Sequence, residues 1–250
     1  MSSRVPNLMA MAADALGGES TFTFAERHLL MAVPLGETGA GASAGDYIDP
    51  ADADRWPDSR NVRPSLIRWL CASPEAVRQM HDNGLRLFAA RLSGPLNLSF
   101  ASIPFPLSFH HCNLISGINI SDAEVGRLSF RHCQVGPVRG DRASLEGSLV
   151  FAEGTRVLGG VRLQGATVHG NLALNGAHLI NSGAVAFAGN GLHVTGSLYM
   201  GTDFRALGAV RLTRSVIAGS LDTRGGSFIN QSGPALSCDG IQVGGAVHMD

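Results

Sequence analysis

The stretch LALNGAHLINSGAVAFAGNGLHVTG, from Leu172 to Gly196, decides the fold. It divides into the short units LALNG, AHLIN, VAFAG and LHVTG, with SGA and NG between them. Each unit carries two small or apolar residues separated by one other, and in an extended chain such residues point to the same side. The glycine that often follows permits a tight corner. A chain that runs straight for a few residues, turns, and repeats buries one side of every segment. One coil of this kind has no core of its own, so coils must stack.

The repeat is visible on both sides of this stretch. GSL at Gly147, GNL at Gly170, GSL at Gly196, GSL at Gly219 and GAV at Gly245 recur at steps of 23, 26, 23 and 26 residues. Anchored on those glycines, one column reads Leu145, Val168, Val194, Ile217 and Val243. A second reads Leu149, Leu172, Leu198, Leu221 and Val247, and a third Leu179, Phe204 and Phe228. The intervening column of Val150, Ala173, Tyr199, Asp222 and His248 is mixed. Columns that stay apolar beside columns that vary predict an all-β solenoid over 84–250. Four units plus corner residues would close each coil into a four-sided parallel β-helix, with coils about 4.8 Å apart.

VRLQG, ATVHG, LALNG and VAFAG resemble degenerate pentapeptide-repeat units of the pattern A-(D/N)-L-x-x. Few of them keep the Asp or Asn, and these coils are longer than the usual ones. With RPSLIRWLCASPEAV (63–77) and GLRLFAARLSGPLNLSFASIPFPLSF (84–109), residues 60–250 resemble bacterial pentapeptide-repeat-like proteins of unknown function. The resemblance implies a right-handed helix. Some such relatives are labelled membrane-associated oxidoreductase. This chain shows neither a GxGxxG after a strand nor a redox CxxC.

Residues 1–83 read as a separate helical and loop segment. Thr23 to Glu26 fits a capping box opening a helix from Phe24 to Val33, stopped by Pro34. GETGAGASAG (36–45) has the composition of a flexible linker. Asp49, Asp52 and Asp54 lack the glycine and terminal glutamate of a calcium loop, so they read as a solvated loop. Pro64 and Ser73-Pro74-Glu75 open two helices within 64–82. A β-helix leaves unpaired backbone at its ends, and this pair is placed to cap the first coil.

The 250 residues are 44% hydrophobic and 16% charged, with 32 glycines and 6% aromatics, which suits repetitive β structure with many corners. A net charge of −1 supplies no overall field for nucleic acid or anionic membrane. All 19 basic residues are arginine. No signal peptide or apolar run near the roughly 18 residues of a membrane span is read, and the four cysteines form no secretory framework. The expected place is a reducing cytoplasm. Peripheral membrane attachment would have to use Leu8 to Leu16, which is short and weakly basic.

Two near-copies, LSFHHCNL (107–114) and LSFRHCQV (128–135), put histidine beside cysteine one coil apart. On the coil, Cys112 and Cys133 take the small inward position and His111 and His132 the corner, which makes both pairs packing residues. The competing reading gathers His111, Cys112, His132 and Cys133 around one metal ion. Adjacent residues point to different sides of the wall, so that reading needs local distortion. No catalytic residue and no cofactor is assigned. Arg162 and Arg211 fall on equivalent outward positions two coils apart, with Arg214 nearby, and form a candidate surface for an anionic protein partner.

The function expected is a non-enzymatic structural or protein-interaction scaffold. Its partner would be another protein, or a second copy docked on the open coil near Met249 and Asp250. The alternatives are a topoisomerase-directed nucleic-acid mimic, against which the near-neutral charge argues, and a membrane-associated oxidoreductase, as the family label suggests.

Overall fold

The computed structural model describes residues 4–43 and 45–249, with side chains from Leu8 onward. Asp250 of the expected docking end lies outside the described residues. The molecule is a parallel β-solenoid of about 7 turns, preceded by helices. Its short strands form a 14-stranded and a 13-stranded sheet, in which stacked coils pair in parallel.

The apolar columns are continuous. Leu85, Leu107, Leu128, Leu149, Leu172, Leu198 and Leu221 stack in register along one side and are fully or almost fully buried. Ile103, Val125, Leu145, Val168, Val194 and Ile217 do the same on another. Each such side chain contributes about 1.5–3 kcal/mol on burial. Phe109, Phe130 and Phe151 form a third column with ring centroids 5.4 and 5.1 Å apart and nearly parallel planes.

The expected column of Leu179, Phe204 and Phe228 is corrected. Leu179 is in register with Ala206, and Ala206 with Phe228. The small Ala206 leaves room that Phe204, from the preceding corner, shares with Phe228, their rings 5.4 Å apart.

The recurrent glycines serve a different purpose from the corner freedom first assigned to them. Gly196 donates its N–H to Gly170 O at 3.0 Å, and Gly219 to Gly196 O at 2.9 Å. A Cβ on either would lie 2.7 Å from the carbonyl oxygen of the coil before. They are glycine because backbones meet there. The residue that follows each one forms a polar ladder: Ser148 Oγ accepts from Asn171 N (3.1 Å), Asn171 Oδ1 from Ser197 N (2.8 Å), and Ser197 Oγ from Ser220 N (3.0 Å). These side chains pair backbone N–H groups that would otherwise be orphaned at the corner.

Among the described residues four α-helices precede the coils: α1 (Arg4–Leu16), α2 (Phe24–Ala32), α3 (Pro64–Ala72) and the single-turn α4 (Pro74–Val77), shorter than the sequence suggests. Leu8, Leu29, Leu66 and Ile67 share one hydrophobic core with the first coils. Leu8 and Ala12 of α1 are thus committed inward, and no described helix is long and apolar enough to cross a membrane. The α2 capping box is formed. The Thr23 side chain accepts from Glu26 N at 3.1 Å, while Thr23 N donates to Glu26 Oε2 at 3.2 Å. Glu26, fully buried, also receives the Arg63 backbone N–H at 2.9 Å and its guanidinium at 2.8 Å, tying α2 to the start of α3.

The segment expected to be a flexible linker docks. Gly39–Ala40 pairs with Leu87 and Phe88 of the first coil, and Asn61–Val62 pairs with Arg91 and Leu92. A Cβ at Gly39 would strike the α2 backbone at Leu29, and one at Gly41 would strike Ala89 O. Glycine composition here reports close packing rather than freedom. The edge of the first coil is therefore covered by short strands as well as by helices.

Candidate functional site

The corner that carries the HHC copies is a column of left-handed residues. Ala89, His111, His132 and Glu153 have φ of 50°, 50°, 49° and 54°. L-residues pay about 1–2 kcal/mol for that conformation. A second corner also holds Phe100, Asp122, Arg142 and Arg214 at positive φ, so the strain belongs to the solenoid's corners generally and marks no site by itself.

What distinguishes the first corner is its side chains. The His111 and His132 rings stack 4.6 Å apart at 18°. Glu153 Oε2 lies 3.4 Å from His110 Nε2 and 3.3 Å from His132 Nε2, and Arg131 ion-pairs with Oε1. One carboxylate thus gathers two imidazoles and a guanidinium from the two preceding coils. Partial burial raises the Glu153 carboxyl, but hydrogen bonds from His110 and Arg131 outweigh it, so the net displacement is downward. His111 is lowered, first by burial and then by the adjacent His132 and His110.

A loop from Asp46 to Ala51 lies against this corner. Asn113 Nδ2 donates to Pro50 O at 2.8 Å, and Arg60 donates to Tyr47 O at 2.7 Å while pairing with Asp46 at 3.0 Å. Between loop and corner is a cleft of about 460 Å³ lined by Tyr47, Ile48, His111, His132, Glu153 and Arg156. Asp49 caps Ala51 N at 2.9 Å, and Asp52 accepts from Tyr47 OH at 2.9 Å. These carboxylates are engaged within the loop.

Cys112 and Cys133 sit on the other side of the wall, buried and free. Cys133 Sγ is 3.4 Å from Cys112 N and 3.3 Å from Phe109 O. Burial pushes the Cys133 thiol well up. The histidines face outward and the cysteines inward, so the four do not converge. Among the described residues no group of three His, Cys, Asp or Glu side chains is disposed to hold a metal ion. Glu153 is the member that the sequence reading passed over. The signal was present: positions 111, 132 and 153 are successive steps of 21 residues.

The three arginines separate into two groups. Arg162 and Arg211 do share an outward column, with Ala188 between them. Arg162 is ion-paired with Asp141. Arg211 and Arg214 instead line a groove of about 610 Å³ with Asn190, Thr213, Ser237 and Asp239.

Comparison with protein-family models, with curated proteins and with solved structures finds no match.

Proposed function

We propose that this chain is a pentapeptide-repeat-like, non-enzymatic interaction scaffold of a bacterial cytoplasm, which associates with other proteins and with itself. The observation that carries the reading is the in-register stacking of outward columns. Residues one coil apart in sequence become neighbours about 4.8 Å apart on a rigid wall, as His110 and Arg131 do, and Glu153 reaches both from the adjoining corner column. Such walls offer large, preformed surfaces with little ordering cost on binding.

Self-association is assigned to the last described coil. Gln242–Val243 and Val247–His248 each pair on one side only among the described residues. Val247 and Met249 are 51% and 56% exposed there. Unpaired strand edges beside apolar side chains favour pairing with another chain.

Light scattering behind size exclusion, in reducing buffer over a concentration series, tests this. The expected result is a dimer or larger species that Val247→Arg returns to monomer. A monomer at every concentration would remove the self-association.

A further inference from the structure

The net charge of −1 hides a division. Residues 1–83 hold 11 carboxylates and 7 arginines, a net −4, and residues 84–250 hold 9 and 12, a net +3. Both signs meet on one wall. Its outward column runs Arg91, Asn113, Gln134, Arg156, His178 and Arg205, one residue per coil. The first coils of that column lie under the loop 46–58. Asn113 Nδ2 donates to Pro50 O at 2.8 Å, and Arg91 Nη1 donates to Ala53 O at 2.7 Å. The loop carries five carboxylates and one arginine. Asp46 is paired with Arg60 and Asp58 with Arg91. Asp49 and Asp54 are exposed and hold no ion pair among the described residues.

Beyond the loop the column is bare and cationic. Arg156, His178 and Arg205 stand over one another in successive coils, and neither arginine has an ion pair among the described residues. The crowding registers on His178, whose imidazole is lowered by burial and then by Arg205 and Arg156. On the adjoining side Arg139 stands in register with Arg162 in the same way. Like charges in register destabilise the isolated molecule, so these columns call for an anionic partner. A nucleic acid laid along the column would run into the carboxylates of the same wall. A second copy, turned end for end, meets no such obstacle. Its acidic loop covers the bare column, and its bare column lies under the first copy's loop.

We propose that two copies of this chain pair wall to wall and antiparallel, the loop 46–58 of each docked on Arg156 and Arg205 of the other. The contact is isologous, so every charge pair is made twice and the assembly closes at two copies. Asn113 under the loop and His178 in the bare half are three coils apart, about 14 Å, and the two-fold axis passes midway between them. The exposed Tyr47 ring offers its face to a guanidinium of the second copy. This deepens the self-association in the reading above by a second contact, and either contact can fail alone. Edge pairing of the last coil rests on main-chain hydrogen bonds, and Val247→Arg reads it at high salt. Lateral pairing rests on surface charge and is read at low salt, about 50 mM NaCl, because about 500 mM NaCl screens it.

The experiment is sedimentation velocity of the full chain carrying Val247→Arg, over a concentration series at both salts. The expected result is a dimer at low salt whose dissociation constant rises at least tenfold at high salt. Arg156→Glu with Arg205→Glu should give a monomer, and so should Asp49→Arg with Asp54→Arg, because opposite charges across the contact become like charges. An equimolar mixture of those two double variants should restore the dimer, since both contacts are then opposite again. Arg127→Glu, in a strand of the other sheet, should leave the dimer unchanged. A monomer at low salt would overturn the proposal. So would a dimer of either double variant alone, or a mixture that stays monomeric while far-UV circular dichroism shows both folds intact. Species that grow beyond two copies would also overturn it. A single-stranded oligonucleotide that binds at low salt, and is lost with Arg156→Glu and Arg205→Glu, would give the column to nucleic acid instead.

Discussion

Phe130→Ala removes the centre of the phenylalanine column. Phe130 is fully buried, with Phe109 at 5.4 Å on one side and Phe151 at 5.1 Å on the other. Truncating a buried phenylalanine to alanine costs about 3–5 kcal/mol, from lost transfer energy and the cavity left behind. Each aromatic contact adds about 0.5–1.5 kcal/mol beyond area. Losing two contacts places this variant near the upper end, at about 4–5 kcal/mol. Phe130→Leu keeps most of the volume but loses both ring contacts, and should cost about 1–3 kcal/mol, less than Phe130→Ala. Because coils contact only their neighbours, the damage should be local. The assay is hydrogen exchange by mass spectrometry, with urea unfolding followed by far-UV circular dichroism. Protection should fall in Ser102–His110, Glu124–Arg131 and Leu149–Ala152 and persist in Val216–Ile217 and Leu221–Asp222. As a control, Phe100 is 79% exposed at φ 60°, and Phe100→Gly should not destabilise, because relief of about 1–2 kcal/mol of left-handed strain offsets the roughly 0.5–1 kcal/mol of extra chain entropy that glycine brings. A Phe130→Ala cost below about 1 kcal/mol, or equal loss of protection in distant coils, would refute the stacked-core reasoning.

Removing either partner of the Arg63–Glu26 pair should have unequal effects. Glu26 has no exposed side-chain surface and Arg63 has 31%, so Arg63→Ala strands a buried carboxylate and should cost about 3–5 kcal/mol. Glu26→Gln should cost less, by urea titration; the reverse order would contradict the pairing. The His111 imidazole is lowered from its ordinary 6.5, so the unfolded chain takes up its proton first as pH falls. Stability should therefore drop as pH falls through the ordinary imidazole value of about 6.5 and flatten once the folded imidazole also titrates. His178 acts in the same direction, lowered by burial and by Arg205. Thermal melts of His111→Gln should show a shallower dependence than the parent, and a parent midpoint that rises on acidification would oppose this. The thiols should divide by burial: Cys71 is pushed up to about 12 and Cys133 well up, both by desolvation, whereas Cys238 is only partly buried. A thiol-reactive dye on the native protein should label Cys238 first, with the others released only in denaturant. Fast labelling of Cys133 in the folded protein would contradict its inward placement.

The solenoid was legible because its core repeats. Leu149, Leu172, Leu198 and Leu221 recur at the coil period, and the structure sets them in one column. The Gly-Ser and Gly-Asn pairs were equally visible, although their cause was not. Only the stacked backbone shows that a Cβ at Gly196 would meet Gly170 O and that Ser197 accepts from Ser220 N. The third column was misread because Phe204 and Phe228 are apolar in both registers, and a bulky ring can fill the core from a corner. Residues 36–51 have no period from which to infer docking, so neither the Gly39–Ala40 strand nor the loop over His111 could be read. The histidine–glutamate corner was half legible. Its 21-residue spacing was in the sequence, but the convergence of His110 and His132 on one oxygen depends on side-chain geometry.

The central claim is that the coils stack in parallel and in register, since every outward row depends on it. Ser102 and Gln242, both exposed, stand in one column through Glu124, Ser144, Thr167, His193 and Val216. Spin labels on Ser102→Cys and Gln242→Cys, with Cys238→Ser, measure that stack by pulsed electron spin resonance. Six steps of about 4.8 Å place the two backbones about 29 Å apart. The account predicts a single narrow distribution at that separation, broadened only by the label arms. A broad distribution, or one centred more than about 10 Å away, would contradict it.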